Sequence, residues 1–275
     1  MPDSKQINAE NGEYLALTPK PAERLLSYRI GNLQGIGSRA RQEDSFTVMN
    51  SMDVTAIKEK GFFFSVCDGM GGMKDGKLAS ETAIASLRQS FAAMDRSRDL
   101  SKQLVESAYT ASDKVEELIG GDGGSTLIAC ILFEGKLYYV SVGDSFLFLY
   151  RNKELVMLNA EHTLLHDREI EAIEDGDVNP LQFVGLPEAT ALTGFLGMIG
   201  LDKTDSTVTP ITLHNGDILM ACSDGVGGVL SEEEIKQSLE LPDVNHMCSD
   251  LEQKVLAHHR PHQDNFTAVV VQCIR

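Results

Sequence analysis

The stretch Phe62-Phe63-Phe64-Ser65-Val66-Cys67-Asp68-Gly69 joins a run of apolar, β-forming residues to a carboxylate and a glycine. Such a run predicts a buried strand, and the Asp-Gly pair predicts a turn at its end. The same arrangement recurs at Ile218-Leu219-Met220-Ala221-Cys222-Ser223-Asp224-Gly225, and Asp264 lies just before a third apolar run at 266–273. Because strand ends project side chains toward a common rim, we expect these carboxylates to converge although they are far apart in the chain.

The converging residues are carboxylates, with no Cys or His expected among the ligands, and Glu43-Asp44 adds a fourth contribution. Carboxylate oxygens suit a hard divalent cation, and glycine lets a backbone carbonyl such as that of Gly69 approach one. Neighbouring carboxylates also resist joint ionisation unless a cation neutralises them. One Asp-Gly pair is usually an ordinary turn, so it is the recurrence that favours a metalloenzyme.

Short strands come in runs and helices come in pairs, so the order is not an alternation of strand and helix. The predicted strands are 28–33, 45–49, 62–67, 126–133, 137–142, 146–150, 155–158, 208–213, 217–222 and 266–273, and the predicted helices are 77–94, 101–118, 232–239 and 244–258. Turns at 133–136 and 150–154 favour antiparallel hairpins. We therefore expect an α+β fold, in which two packed antiparallel β-sheets form a β-sandwich flanked on both sides by helix pairs, a four-layer αββα arrangement.

Composition excludes several classes of protein. The chain has 275 residues, of which 42% are hydrophobic, and its formal net charge of −17 disfavours nucleic acid or an anionic membrane as a partner. No apolar run is long enough to span a bilayer, and the five cysteines show no paired spacing, so we expect buried reduced thiols and a cytoplasmic location. Residues 1–23 are expected to be a mobile tail and 24–275 a single domain.

With these residues in view, the chain resembles the metal-dependent serine/threonine protein phosphatases of type 2C, and more closely their compact bacterial members. The resemblance runs from about residue 29 to the C-terminus through RARQED, FFSVCDGMGG, GGSTLIA, YYVSVGDS, LMACSDGV and QDNFTAVVV. It implies a phosphatase domain that hydrolyses phosphoserine and phosphothreonine in proteins at a binuclear Mn²⁺ or Mg²⁺ centre. Two cations ~3.5–4 Å apart would lower the pKa of a shared water and bind the phosphoryl oxygens, without a phosphoenzyme.

The resemblance also implies roles for individual residues. Asp68 corresponds to the carboxylate that bridges both metals, and the Gly69 carbonyl to a ligand of the first. Asp224 and Asp264 correspond to ligands of the second metal.

Three more residues complete the implied site. Glu43 and Asp44 correspond to the acidic pair that holds metal-bound waters, and Arg39 to the phosphate-binding arginine. Arg41 would share a face with Arg39 in a regular strand, but is expected to lie too far along the rim to reach the same phosphate.

The sequence departs from the family pattern in three respects. Met70 stands where many relatives have a histidine, and Gly228 stands where relatives that bind a third metal often have an aspartate. Asp144 matches the other third-metal carboxylate, so that weak site is half-built and we expect two well-occupied ions. Gly194 and Phe146 stand where relatives usually have arginine.

These departures leave an alternative, a pseudophosphatase that binds phosphoproteins without turnover. Phosphorylated proteins are the expected partners under either interpretation, a bacterial serine/threonine kinase is the expected antagonist, and monomer is the default. Residues 161–187 correspond either to the family's variable flap or to a structural helix and loop. For His162 and His166 a surface face is favoured over zinc binding.

Overall fold

The structure, a computed structural model, describes residues 26–70, 75–120, 123–176, 186 and 188–275. Within these ranges two antiparallel sheets account for most of the strands. The strands are β1 (Ser27–Gly35), β2 (Ser45–Met49), β3 (Phe62–Cys67), β4 (Gly69–Met70), β5 (Gly124–Ser125), β6 (Leu127–Phe133), β7 (Lys136–Val142), β8 (Phe146–Arg151), β9 (Glu154–Met157), β10 (Asp205–Ser206), β11 (Ile211–Thr212), β12 (Ile218–Cys222) and β13 (Phe266–Ile274). The first sheet has the order β1-β13-β12-β8-β9 and the second the order β10-β7-β6-β3-β2, with β11 also paired to β7.

Helices cover the outer faces of both sheets. The described part of the chain contains α1 (Val54–Lys60), α2 (Gly76–Ala93), α3 (Leu100–Ile119), α4 (Leu164–Glu174), α5 (Asp224–Gly227), α6 (Glu232–Leu239) and α7 (Val244–Ala257). Helices α2 and α3 pack on the second sheet, and α6 and α7 pack on the first. None of the helices within the described ranges is both long and apolar enough to cross a membrane.

Alternation along β3 shows how the layers are held together. Phe62 and Phe64 point into the core between the two sheets, whereas Phe63 and Cys67 point into the core under α2 and α3. A strand whose side chains alternate between two apolar layers is buried on both faces, which is why this run contains almost no polar residue. A third core lies between the first sheet and α6 and α7. The predicted α+β sandwich with four layers is confirmed.

Most predicted elements are present within one or two residues of their predicted bounds, including both hairpins. The predicted strand 208–213 is present only in part, as β11 at Ile211–Thr212. Between β10 and β11, Val208 is 96% exposed, and Pro210 directly before β11 has no backbone N–H to donate to a neighbouring strand. The five cysteines are buried and free, as predicted. The predicted tail at 1–23 lies outside the described residues.

Candidate metal centre

Strand register brings the predicted site residues to one end of the sandwich. Cys67, the last residue of β3, is paired with Ser45, the first residue of β2. Asp68 directly follows Cys67 and Asp44 directly precedes Ser45, so both aspartates lie at the same end of this strand pair. In the other sheet Cys222 of β12 pairs with Ala268 of β13, which places Asp224 and Asp264 at the same end of adjacent strands. These residues meet in one cleft of about 420 Å³. It is lined by Asp68, Asp224 and Asp264, together with Arg39, Glu43, Gly69 and Asp144. Asp44 lies beneath it and is fully buried.

The cluster is electrostatically strained in the absence of a cation. Burial raises the pKa of Asp68 well above its ordinary value, and the nearby carboxylates of Asp44 and Asp224 raise it further. Burial likewise raises the pKa of Asp44 to about 6 and that of Asp144 to about 7. The pKa of Asp224 is raised by burial and by Asp264. Each of these carboxyl groups is therefore harder to ionise than it would be in water.

The residues present fit a hard divalent cation. Oδ1 of Asp44 and Oδ1 of Asp224 are buried and have no hydrogen-bond partner among the described residues, and buried polar atoms in folded proteins rarely stay unpaired. No three Asp, Glu, His or Cys side chains in the described ranges enclose an ion by themselves. Backbone carbonyls and water would have to complete the coordination, which is usual for Mg²⁺.

Asn265 organises the loop that carries Glu43, a role that the sequence pattern did not indicate. Its side-chain oxygen accepts a hydrogen bond from the Glu43 backbone N–H at 2.7 Å, and its amide donates to the carbonyls of Ile36 and Arg41 at 2.9 Å each. Its position directly after Asp264 was the available signal. Because Asn265 joins the start of β13 to the 36–43 loop, it fixes the distance between Asp264 and Glu43.

Arg39 lies in the cleft and is paired with Asp264. Its Nη2 lies 2.6 Å from Oδ2 of Asp264, and both side chains are partly exposed, 56% and 38%. Arg41 does not line the cleft. Both arginines lie in the loop between β1, which ends at Gly35, and β2, which begins at Ser45, so the geometry of a regular strand does not apply to them.

Each glycine of the two Asp-Gly pairs allows backbone segments to pack closely. A Cβ on Gly69 would lie 2.1 Å from the Gly76 carbonyl oxygen, and one on Gly225 would lie 1.9 Å from the Asn265 carbonyl oxygen. These glycines are thus required by contacts within the protein, quite apart from any contact with a cation.

The structure shows the surroundings of the residues that depart from the family pattern. Gly228 has φ of −83°, an ordinary right-handed conformation, and lies exposed one turn after Asp224. Phe146 stacks on Phe148 and packs against Gly227, so its ring serves the core under α6 and α7. Gly194 is buried between His162 and Lys203.

The expectation of a surface position for His162 is wrong. His162 precedes α4, is buried, and accepts a hydrogen bond from the Gly143 backbone N–H at its Nδ1, 3.0 Å away. The backbone N–H of His162 donates to the Gly143 carbonyl, and the backbone carbonyl of His162 accepts from the Thr193 N–H. It therefore ties the turn before Asp144 to the segment that follows α4. Helix α4 occupies part of 161–187, and residues 177–185 and 187 lie outside the described ranges.

The sequence pattern of the protein phosphatase 2C family matches residues 28–180, more than half of the chain. The chain belongs to this family. The match confirms the predicted family and enzyme class. The serine/threonine phosphatase stp of Listeria innocua is 27% identical over 191 residues, which cover 66% of this chain and 73% of that protein.

Two further similarities concern PstP. The serine/threonine protein phosphatase PstP of Mycobacterium tuberculosis is 28% identical over 220 residues, covering 76% of this chain and 40% of that protein. A crystal structure of the PstP catalytic domain in complex with two manganese ions superimposes with a TM-score of 0.71 at 24% identity, covering 91% of this chain and 100% of that one. This structural likeness shows the shared fold.

Proposed function

We propose that the protein is a Mn²⁺- or Mg²⁺-dependent phosphatase that hydrolyses phosphoserine and phosphothreonine in proteins. One observation carries the proposal: Asp68 and Asp224 of the cleft lie close to the buried Asp44 beneath them, and all three have raised pKa values. Oδ1 of Asp44 and Oδ1 of Asp224 also have no hydrogen-bond partner among the described residues. Buried carboxylates in this arrangement are unfavourable unless cations compensate them. Membership of the protein phosphatase 2C family supports the reaction, and the manganese reported for PstP supports the metal.

We assign the metal ligands among the residues of the cleft. Asp68 would bridge two ions, with the Gly69 carbonyl on the first and Asp224 and Asp264 on the second. Divalent cations held by these residues would supply a water of lowered pKa and would offset the charge of the phosphoryl oxygens.

Two further carboxylates act around the ions. Glu43 and Asp44 would hold the waters that complete the coordination. Ser223 donates from Oγ to Oδ2 of Asp44 at 3.0 Å, which leaves Oδ1 of Asp44 for such a water.

The chain's own side chains then orient the substrate. Arg39 is exposed enough to exchange its contact with Asp264 for the phosphoryl group, which it would bind by charge-assisted hydrogen bonds. Met70 carries no proton to donate to the leaving oxygen of serine or threonine, so that proton would come from water in the open cleft. Asp144 would add at most a weak third site, because Gly228, one turn after Asp224, offers no second carboxylate.

The direct test is phosphate release from a phosphothreonine peptide with added manganese, with and without a chelator. Turnover that requires the metal is expected. Its complete absence would contradict the proposal.

A pseudophosphatase is the second candidate. Phe146 and Gly194, at positions where relatives usually have arginine, offer no positively charged side chain to the substrate. It predicts phosphopeptide binding without phosphate release, so the same sample measured by fluorescence anisotropy separates the two functions. We further propose that residues 24–275 act as one catalytic domain, as a monomer, opposed by a serine/threonine kinase.

A further inference from the structure

The cleft contains three apolar side chains that the proposed chemistry does not use. Met70, Leu192 and Phe195 line it together with the carboxylates, and all three are only half-buried. We call these three residues the apolar wall. In a cleft that otherwise binds phosphate and cations, accessible apolar surface requires an explanation.

The apolar wall is built on the same scaffold as the metal ligands. Met70 of β4 pairs with Gly124 of β5, and the Phe195 ring packs so closely on Gly124 that an added Cβ would lie 2.4 Å from its Cδ2. Leu196 and Ser125 exchange two backbone hydrogen bonds of 2.8 and 3.1 Å. The wall is therefore held by main-chain pairing and is not a loosely attached loop.

The same scaffold reaches the bridging carboxylate. Ser125 Oγ donates to the Asp68 carbonyl at 3.0 Å, so the wall and Asp68 have a fixed spacing. Leu192 is fixed from the other direction by its bridge to Thr163 at the start of α4. The apolar wall and Asp68 line the same cleft, so a phosphorylated substrate that enters this cleft would have the wall beside it.

We propose that the apolar wall is the subsite for the residue next to the phosphorylated one, and that it selects phosphoproteins with a large apolar residue at that position. The inference rests on the proposed function. An apolar side chain next to the phosphorylated residue would bind more tightly, because it would leave water and pack against Met70 and Phe195. An acidic neighbour would lose hydration there and would also be repelled by Asp144 and the other carboxylates of the cleft. An uncharged polar side chain such as that of Ser would lose its hydration there without gaining a hydrogen-bond partner.

The test compares phosphothreonine peptides that differ only in the two residues flanking the phosphothreonine, Leu, Ser or Glu. For the wild-type protein with manganese, kcat/KM should be about ten-fold higher with Leu than with Ser, and lowest with Glu. Phe195→Ala should reduce the Leu-to-Ser ratio to about two-fold, and Phe195→Leu should retain most of it. Leu256→Ala, at an exposed position on α7 outside the cleft, is the matched control and should keep the wild-type ratio.

A second measurement does not depend on turnover. The dissociation constants of the same peptides carrying a non-hydrolysable phosphonate, measured by fluorescence anisotropy, should show the same order and the same loss in Phe195→Ala. Equal kcat/KM and equal affinity for Leu and Ser peptides, or a ratio unchanged in correctly folded Phe195→Ala, would overturn the inference while leaving the proposed function intact. No metal-dependent turnover of any peptide would overturn the proposed function, and the subsite for its substrate with it.

Discussion

Arg39 and Asp264 show how one contact can serve two states of the cleft. In the structure each neutralises the other at 2.6 Å, at a partly exposed position where an ion pair contributes little to stability. Such a pair is readily exchanged. The guanidinium can therefore turn to a phosphate, and the carboxylate can turn to a cation, without loss of a buried interaction.

Replacing Arg39 should affect binding more than chemistry. We expect Arg39→Ala to raise KM more than it lowers kcat, with a total loss of about 1.5–3 kcal/mol in kcat/KM, because a charge-assisted hydrogen bond to the phosphate is removed. Steady-state kinetics on a phosphothreonine peptide measures both constants. Arg41→Ala is the control, since Arg41 does not line the cleft. An equal loss in both variants would mean that the assignment to Arg39 alone is wrong.

Gly228 permits a test of the half-built third site. A Cβ at this position would lie 3.8 Å from the Cβ of Asp224, so Gly228→Asp adds a carboxylate beside a proposed ligand. We expect tighter binding of an additional Mn²⁺ in calorimetry and faster hydrolysis of phosphopeptide relative to p-nitrophenyl phosphate.

The structure removes one objection to this variant, since φ of −83° at Gly228 suits any residue. The new Cβ would, however, lie 2.9 Å from the Asp224 carbonyl oxygen, so the backbone must shift slightly. Gly228→Ala carries the same steric cost without the charge and is the control. If both variants bind manganese like the wild type, position 228 does not contribute to a third site.

At the scale of elements, the start of α2 supports the acidic pair Glu43-Asp44. Ser80 Oγ donates to the Glu43 carbonyl at 2.6 Å, and Lys77 Nζ donates to the Asp44 carbonyl at 2.9 Å. The helix therefore satisfies two backbone carbonyls of the acidic pair, in addition to the hydrogen bonds by which Asn265 holds the same loop.

Removing the Ser80 hydroxyl should expose this dependence. Ser80 is fully buried, so Ser80→Ala leaves the Glu43 carbonyl without that donor and should lower the free energy of unfolding by about 1–3 kcal/mol. Urea denaturation provides the measurement. Ser90→Ala, at a half-buried position on the same helix, should change it much less. Equal stability of the two variants would show that the contact does not support the loop.

The elements that could be predicted from the sequence are those whose pattern matches their burial. Strand β3 and helix α6 have the predicted bounds, and the capping box of Ser231 and Glu234 is present. Helix α1 was missed because it buries none of its residues, so it has no apolar periodicity to detect.

The residues of the site also differ in how far the sequence could predict them. Asp68, Asp224 and Asp264 were identified because each adjoins a strand end. The roles of Asn265 and Phe195 were not, since each depends on a contact with a segment remote in sequence. Asn265 contacts Glu43, 222 residues away, and Phe195 contacts Gly124 of β5. Side-chain hydrogen bonds to remote backbone groups leave no periodic signal in a single sequence.

At the scale of the whole molecule, the carboxylates of the site make stability depend on both pH and metal. The pKa of Asp44 is raised to about 6 and that of Asp144 to about 7, mainly by burial. The folded protein therefore binds these protons more tightly than the unfolded chain, whose aspartates titrate near ~3.9. This contribution to stability is fully present below about pH 4 and is lost as the pH rises through 6 and 7.

In the presence of a chelator, we accordingly expect the melting temperature to fall between pH 5 and pH 7.5. Manganese should reduce this fall, since it binds the ionised carboxylates of the folded state only. Asp144→Asn removes one of the two groups and should flatten the chelated profile, whereas Asp113→Asn, exposed on α3, should not. A chelated melting temperature that rises over this range would contradict the pKa argument.

The most direct test of the account is calorimetric titration of the protein with manganese. We expect two ions bound by the wild type, and much weaker binding of both in Asp68→Asn, which loses the charge of the proposed bridging carboxylate. Asp113→Asn should bind like the wild type, and Asp68→Asn should fold normally, since it removes a buried charge from a crowded cluster. Unchanged stoichiometry and affinity in folded Asp68→Asn would contradict the account.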